Sequence, residues 1–141
     1  MDNAKTVVAA FLDQVRSGRD PEAAHRYMAP KVLAHQVVSE EAVTVDRTPA
    51  QYAEHVREML AAWGPFTFTV DELIAEDGKA YARWTQVGAH LGEVDGFAPT
   101  GGPVTEVASA VYRVEAGLIV EYWIQIDRFG IEAQLRRAAG K

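Results

Sequence analysis

The feature that most limits the possible folds is a change of residue pattern at Pro65. Downstream of it, four segments are rich in β-branched and aromatic residues, and Asp-Gly or Ala-Gly pairs mark turns. The segments are FTFTVDELIAEDG, KAYARWTQVGAHLG, PVTEVASAVYRVEAG and LIVEYWIQID. The pattern predicts a run of four antiparallel strands, with a long Gly- and Pro-rich connection, GEVDGFAPTGGP, between the middle two.

Upstream of Pro65, apolar residues recur instead at helical spacing. Residues 7–15 carry one apolar stripe, and the pairs Asp20-Pro21 and Thr48-Pro49 are helix start signals. A short strand, KVLAHQVV, follows the second predicted helix, and RFGIEAQLRRAA forms a helix at the end of the chain. Helices followed by an antiparallel sheet predict an α+β fold, with helices packed on one face of a curved sheet.

Composition narrows the function classes. The 141 residues carry a net charge of −6, which argues against a nucleic-acid or anionic-membrane surface. There is no cysteine, no phosphate-loop or dinucleotide fingerprint and no zinc-protease motif, so we expect no metal and no cofactor. No signal peptide or membrane span is evident. We expect one domain over residues 1–141, in the cytoplasm.

The last predicted strand carries the first candidate site. Its side chains alternate between an apolar face and a mixed face. The apolar face has Tyr122, Ile124 and Ile126; the mixed face has Trp123, Gln125 and Asp127. A regular two-residue hairpin at Ala116-Gly117 would place Glu106 opposite Asp127. Two carboxyls opposed in a closed site would share a proton and supply an acid and a base. Glu106 could instead be solvated or be turned outward by a register change of one residue.

Three stretches taken together resemble a known family. They are Arg83-Trp84 through Gly92, the Pro99-Thr100-Gly101 loop, and Tyr112 through Asp127. In their order and spacing, the chain from about Val7 to Leu135 is similar to the SnoaL-like polyketide cyclases of the nuclear transport factor 2-like superfamily. The resemblance implies a cone-shaped α+β barrel, in which a strongly curved, mostly antiparallel sheet and three N-terminal helices enclose a pocket. It also implies a homodimer through the convex sheet face.

The resemblance further implies roles for individual residues. Asp127 matches the acidic residue that such cyclases use as general acid/base, although it could merely cap the following helix. His35 matches a histidine that points into the cone and could carry a second proton; it could also be a partly exposed residue. His90 would lie at the pocket mouth or would hold the adjacent loop.

The remaining candidates would bind substrate along the pocket walls. A helical stripe would supply one wall and the sheet the other, although such a stripe is often plain core. With His90, the predicted binding residues are Tyr52, Met59, Trp63, Trp84, Gln86, Trp123 and Gln125. These residues suit an elongated, mostly apolar small molecule.

Two functions of different classes follow. The first is a cofactor-independent cyclase of polyketide, and so of antibiotic, biosynthesis, which folds the substrate for aldol, epoxide-opening or pericyclic ring closure (a lyase or isomerase). The second is a non-catalytic module that binds an apolar metabolite. An epoxide hydrolase or isomerase of the same fold is a further alternative.

Overall fold

The strands of the computed structural model, which describes residues 3–140, form a single six-stranded sheet. Their bounds are β1 Met28–Gln36, β2 Val43–Arg47, β3 Thr67–Glu76, β4 Lys79–Ala89, β5 Pro103–Glu115 and β6 Leu118–Ile126. The order across the sheet is β2-β1-β6-β5-β4-β3. Neighbouring strands are antiparallel except β1 and β6, which are parallel. The predicted α+β fold with a curved, mostly antiparallel sheet is therefore confirmed.

The helices begin where the capping residues predict. Helix α1, Ala4–Phe11, continues as a π-helical turn, Leu12–Arg16. A 3₁₀ turn, Pro21–Ala23, leads into the short α2, Ala24–Tyr27. In α3, Pro49–Trp63, Thr48 and Gln51 form a reciprocal capping box. Helix α4, Arg128–Ala139, ends the described chain.

Two details differ from the prediction. The second helix ends at Tyr27, because the chain is already extended at Met28 and enters β1 there. Strand β2 was not predicted; within residues 3–140 it pairs with β1 alone, and four of its five residues are exposed. An exposed edge strand lacks the apolar alternation by which strands are recognised in a sequence.

Helix α3 closes over the sheet through a contact that requires glycine. A Cβ on Gly88 of β4 would lie 2.6 Å from the Trp63 carbonyl oxygen and 2.9 Å from Trp63 Cβ. Both are closer than non-bonded atoms approach, so the absent side chain allows the end of α3 to rest on the strand. This contact fixes the helical wall above the sheet. No helix within residues 3–140 is long and apolar enough to span a membrane.

A bulge in β6 changes which side chains face the helices. Pairing with β5 passes from Val114–Ile119 to Arg113–Glu121, so Val120 is an extra residue. Beyond it Ala108 pairs with Ile126, and the expected pairing of Glu106 with Asp127 is wrong. Glu106 pairs with Gln86 on its other side. Because side chains alternate along a strand, one extra residue exchanges the two faces of everything that follows.

Candidate functional site

A large cavity lies between the concave face of the sheet, helix α3 and the start of α4. Its volume is about 780 Å³, within the range of sites for drug-sized ligands. Aromatic and aliphatic side chains make up about half of the lining residues, and seven of the nineteen are charged. Lining residues from the sheet include Tyr112, Tyr122, Ile124 and Ile126, and those from α3 are Tyr52, His55, Met59 and Trp63.

A buried ion pair lies deep in this cavity. Arg16 Nη2 donates to Glu106 Oε2 at 3.0 Å, and the two side chains are only 3% and 10% exposed. Arg16 Nη1 donates to Gln86 Oε1 at 2.8 Å, and Trp84 Nε1 donates to Glu106 Oε2 at 3.2 Å. The guanidinium also lies 5.2–5.8 Å from the ring centroids of Phe66, Phe68 and Trp84. These contacts fix the orientation of both charged groups.

The carboxylate of Glu106 retains one oxygen for a ligand. Both hydrogen bonds that it accepts end on Oε2, and Oε1 accepts none from the described residues. Glu106 lines the cavity. Among the described residues, Oε1 is not one of the polar atoms that are both fully enclosed and without a partner. The arrangement therefore presents a positioned carboxylate oxygen to the cavity, as a proton acceptor requires.

Three phenols share the cavity with this pair. Tyr52, Tyr112 and Tyr122 are at most 5% exposed, and their rings pack at centroid distances of 5.7–6.2 Å. Burial raises the pKa of each phenol above its usual value, against the opposing charge of Arg16. Each is therefore a neutral O–H donor across the physiological range, suited to a carbonyl or enolate oxygen.

Helix α3 and strand β2 add two further polar groups. Burial, with the charges of Arg47 and Arg16, lowers the pKa of His55 to about 4. The ring of His55 is therefore neutral at pH 7. Arg47 ends β2 with its side chain toward the cavity, and its Nε is enclosed without a hydrogen-bond partner among the described residues.

Several predicted site residues lie where the sequence placed them. Glu106, Tyr52, Met59 and Trp63 line the cavity. Trp84 and Gln86 are buried on the same sheet face, but they do not line the cavity; they hold Glu106 and Arg16 instead. Trp84 and Gln86 were predicted to contact substrate, but in the structure they orient Glu106 and Arg16.

Asp127 does not lie in the cavity. It is exposed, and its carboxylate accepts a hydrogen bond from Gly130 N at 2.9 Å, which caps α4. Asp127 therefore occupies the helix-cap position of the alternative interpretation. Trp123 and Gln125 lie on the same side of the sheet as Asp127. We call this side, which faces away from the cavity, the outer face; Trp123, Gln125, Val107 and Val111 lie near its middle. The Val120 bulge is the physical reason for all three corrections.

His35 also belongs to the outer face. Its Nε2 lies 2.6 Å from Glu121 Oε2, its Nδ1 lies 2.8 Å from Thr44 Oγ1, and its ring stacks on Trp123 at 5.1 Å. The neighbouring Gln36 occupies the inward position and lines the cavity. The prediction that His35 points into the cone is therefore wrong, because Val32, Ala34 and Gln36 hold the inward positions of β1.

His90 is 1% exposed and lies behind Trp63, with 5.7 Å between the ring centroids. Its backbone exchanges hydrogen bonds with the loop, donating to Gly102 O and accepting from Gly101 N. It is absent from the cavity lining. The reading of His90 as a residue that holds the loop fits this placement better than the pocket-mouth reading.

The sequence reasoning missed Arg16, Arg47, His55, Tyr112 and Tyr122. A signal for Arg16 was present, since Val8, Leu12 and Arg16 recur at a spacing of four on the buried face of one helix. A charge on an apolar stripe indicates a buried partner. Arg47 had no such signal, because β2 itself was not recognised. No group of three or more potential metal ligands occurs among residues 3–140.

Comparison with known proteins agrees with this architecture. The family model described as SnoaL-like polyketide cyclase matches residues 6–135. A proposed polyketide cyclase from Acidithiobacillus ferrooxidans is 27% identical, with a TM-score of 0.83 over 97% of this chain and 96% of that chain. No protein in the curated set matches the chain.

Two further solved structures share the fold. IdmH, a proposed polyketide cyclase from Streptomyces antibioticus, is 24% identical, with a TM-score of 0.79 over 96% of this chain and 99% of that chain. TsrD from Streptomyces laurentii is 23% identical, with a TM-score of 0.77 over 96% and 97% of the two chains. At this identity the likeness concerns the fold.

Proposed function

Because the chain belongs to the SnoaL-like polyketide cyclase family, we propose that it is a cofactor-independent cyclase that closes a ring in a polyketide-type substrate. The observation that carries the proposal is the oriented Glu106 carboxylate, with Oε1 free, in the same cavity as three neutral phenols. A carbonyl-rich substrate has acidic C–H groups that the Glu106 carboxylate can deprotonate. It also has oxygen atoms that can accept hydrogen bonds from the phenols.

In an aldol-type closure, Glu106 Oε1 takes a proton from the carbon between two carbonyls. The electron pair of the broken C–H bond moves to a carbonyl oxygen, and phenol O–H groups donate to this enolate. The enolate carbon then attacks a second carbonyl of the same chain, forming a C–C bond and an alkoxide. The Glu106 carboxyl returns its proton to the alkoxide, so the balance closes without a cofactor.

The cavity contributes by restricting the chain. Aromatic walls on α3 and on the sheet confine a flexible substrate, and orientation alone can lower a barrier by roughly 7–11 kcal/mol at the upper end. An epoxide-opening or pericyclic closure would use the same walls and fewer of the polar groups. The aldol reaction is favoured because it uses both a base and several donors.

A non-catalytic binding module is the second candidate, and a specific observation favours it. Asp127 and His35 both lie outside the cavity, and Glu106 is engaged by Arg16, so the three predicted proton carriers do not converge. The buried charges of Arg16 and Glu106 argue against a binding module, because a site that only binds an apolar molecule does not need two buried charges, which are costly. Activity measurements separate the two candidates.

The test uses variants of matched size. Linear poly-β-ketones with a free-acid end and, in parallel, their thioesters are incubated with the protein, and ring formation is followed by mass spectrometry and NMR. We expect Glu106→Gln to reduce turnover by roughly 10²- to 10⁴-fold, as for loss of a general base. Asp127→Asn, which retains a good capping residue, is the control and should keep turnover within about twofold. A folded Glu106→Gln protein with undiminished turnover would exclude Glu106 as the base.

We also propose that the outer face mediates a homodimer. Val107 and Leu33 on this face are 42% and 39% exposed, and Trp123 is partly exposed. The face carries both signs of charge, Arg113 beside Glu121, so two copies related by a two-fold axis can be complementary. Sedimentation velocity should give the mass of a dimer, and Val107→Lys should shift it to a monomer; a wild-type monomer contradicts the proposal.

A further inference from the structure

Arg47 is a cation that lines the cavity, and no carboxylate within residues 3–140 pairs with it. It is the last residue of β2 and pairs with the inward-facing Val32, which directs its side chain into the cavity. Within residues 3–140 it forms no ion pair with a carboxylate, and its Nε is enclosed without a hydrogen-bond partner. A cation on the wall of a cavity is stabilised by an anion that binds there, and no carboxylate of the described residues does so.

The other charges that line the cavity do not compensate Arg47. Deep in the cavity, Arg16 and Glu106 neutralise each other. At the mouth, Arg128 pairs with Glu40 and Arg136 pairs with Glu132; all four are at least half exposed. The remaining acid, Asp95, is exposed on the connecting loop. The inner part of the cavity therefore carries one net positive charge, although the chain carries −6.

The titration of neighbouring groups agrees with an uncompensated charge. The pKa of His55 is lowered first by burial and then by the charge of Arg47, ahead of that of Arg16. Burial raises the pKa of Tyr122, and the charge of Arg47 is the largest opposing influence. The field of Arg47 thus extends over α3 and β6, the two walls between which a ligand would lie.

We propose that Arg47 binds a carboxylate of the ligand, so that the cavity selects an anionic, free-acid substrate rather than a neutral, wholly apolar one. A guanidinium binds a carboxylate through two parallel N–H donors, and the two terminal Nη groups of Arg47, which form no ion pair within residues 3–140, can supply them. The aromatic walls then hold the carbon skeleton, and Glu106 lies elsewhere in the same cavity. This inference deepens the proposed function and rests on it for the choice of a polyketide-type acid.

The consequence for the reaction is an ordered placement of the chain. An acid end fixed at Arg47 leaves the carbonyls along the chain to reach Glu106 and the phenols. The reaction that supplies the substrate must therefore release a free acid, such as hydrolysis of a thioester, before ring closure. A chain still joined to a carrier as a thioester lacks the charge that Arg47 recognises.

The experiment compares one ligand in charged and neutral forms. Binding of 2-naphthylacetate and of its methyl ester is measured by isothermal titration calorimetry, with 2-naphthyl phosphate as a second anion. We expect the acid to bind roughly 10- to 100-fold more tightly than the ester, as for a charge-assisted hydrogen bond. Equal affinity, or no binding of the acid, overturns the inference, and tighter binding of the phosphate overturns the assignment to a carboxylate.

Variants assign the preference to Arg47. Arg47→Gln should remove the difference between acid and ester, whereas Arg47→Lys, which keeps the charge but loses the planar pair of donors, should retain part of it. Arg83→Gln on the outer face is the matched control and should change nothing. A preference that survives in folded Arg47→Gln contradicts the assignment.

Two readouts keep this inference separate from the proposed reaction. Bound acid should raise the NMR titration midpoint of His55 by neutralising Arg47, and bound ester should not. The Glu106→Gln variant should keep the acid preference, since Glu106 is not the anion receptor. If no ring forms but the preference persists, the cyclase proposal fails alone; if rings form but affinities are equal, only the role of Arg47 fails.

Discussion

The two faces of the sheet carry the same kinds of side chain in different surroundings. On the cavity face, Arg16 and Glu106 form a pair that is 3% and 10% exposed. On the outer face, Glu121 joins Arg113 at 3.0 Å and His35 at 2.6 Å, with exposures of 15–33%. A hydrogen bond from His35, followed by those from Arg113, lowers the pKa of Glu121.

This difference shows that the types of side chain in a cluster do not identify the reactive one. The face of the sheet on which the cluster lies identifies it. The outer cluster has a histidine, a carboxylate and a hydroxyl in contact, yet it is more exposed than the inner pair and borders a smaller cavity of about 490 Å³. The inner cluster lacks a histidine in contact with its carboxylate, but it is enclosed and has a free oxygen. A single extra residue, Val120, determines which β6 side chains join which cluster.

We expect the largest effect on the free energy of unfolding from a variant that breaks the Arg16–Glu106 pair. Arg16→Met leaves the Glu106 carboxylate buried without its cation, which should lower the free energy of unfolding by roughly 3–5 kcal/mol. The outer counterpart, Arg113→Met, should cost only about 0–1 kcal/mol. Urea denaturation measures both. The double variant Arg16→Met/Glu106→Leu should recover most of the loss, and equal costs for the two single variants would remove the distinction between the faces.

Adjacent residues on β6 give the next test. Tyr122 is 5% exposed and packs on Tyr52 and Tyr112, so Tyr122→Ala should cost about 3–4 kcal/mol, near the range for buried aromatics. Trp123→Ala, on the outer face, should cost about half as much or less. Thermal unfolding checks the ranking at low protein concentration, where any self-association is weak. The reverse ranking would show that β6 faces the other way.

Asp127 supplies a smaller test at the end of the same strand. Asp127→Ala removes the hydrogen bond to Gly130 N and should cost about 0.5–2 kcal/mol, while Asp127→Asn should be nearly neutral. Neither should alter ring closure. If Asp127→Asn left unfolding unchanged but abolished turnover, the placement of Asp127 outside the cavity would be contradicted.

The smallest expected effect is the pH dependence from His55. Its pKa is lowered to about 4 in the folded protein, whereas an unfolded histidine titrates near 6.5. Between these values the unfolded chain binds more protons, so stability should fall as the pH drops from about 6.5 to 4. His55→Gln should flatten this part of the stability profile. His25→Gln, on the exposed face of α2, should leave it unchanged.

Most of the fold was predictable because local signals agreed with the tertiary structure. Pro49 after Thr48 starts α3, and the predicted strands from Phe66 to Asp127 match β3 to β6 within a few residues. The parallel pairing of β1 with β6 had no local signal, because it joins segments far apart in the chain.

The candidate site was less predictable for one physical reason. Assigning faces requires counting along a strand, and the count fails at a bulge that leaves no clear mark in the sequence. Glu106 on β5 lines the cavity, although the hairpin register that placed it opposite Asp127 is wrong. Asp127, beyond Val120 on β6, does not line the cavity. The sequence therefore indicated the right sheet but the wrong strand for the carboxylate.

Strand β2 has a consequence for how relatives of this protein could diverge. It pairs with one neighbour only and contributes Arg47, whereas Arg16 and Glu106 lie where helix and sheet pack most tightly. Loss or replacement of Arg47 would therefore cost little stability, whereas change at the inner pair would cost much. Substitutions at Arg47 can therefore change which ligands bind while Arg16 and Glu106 stay the same. Relatives can acquire new substrates through changes in the edge strand β2 alone.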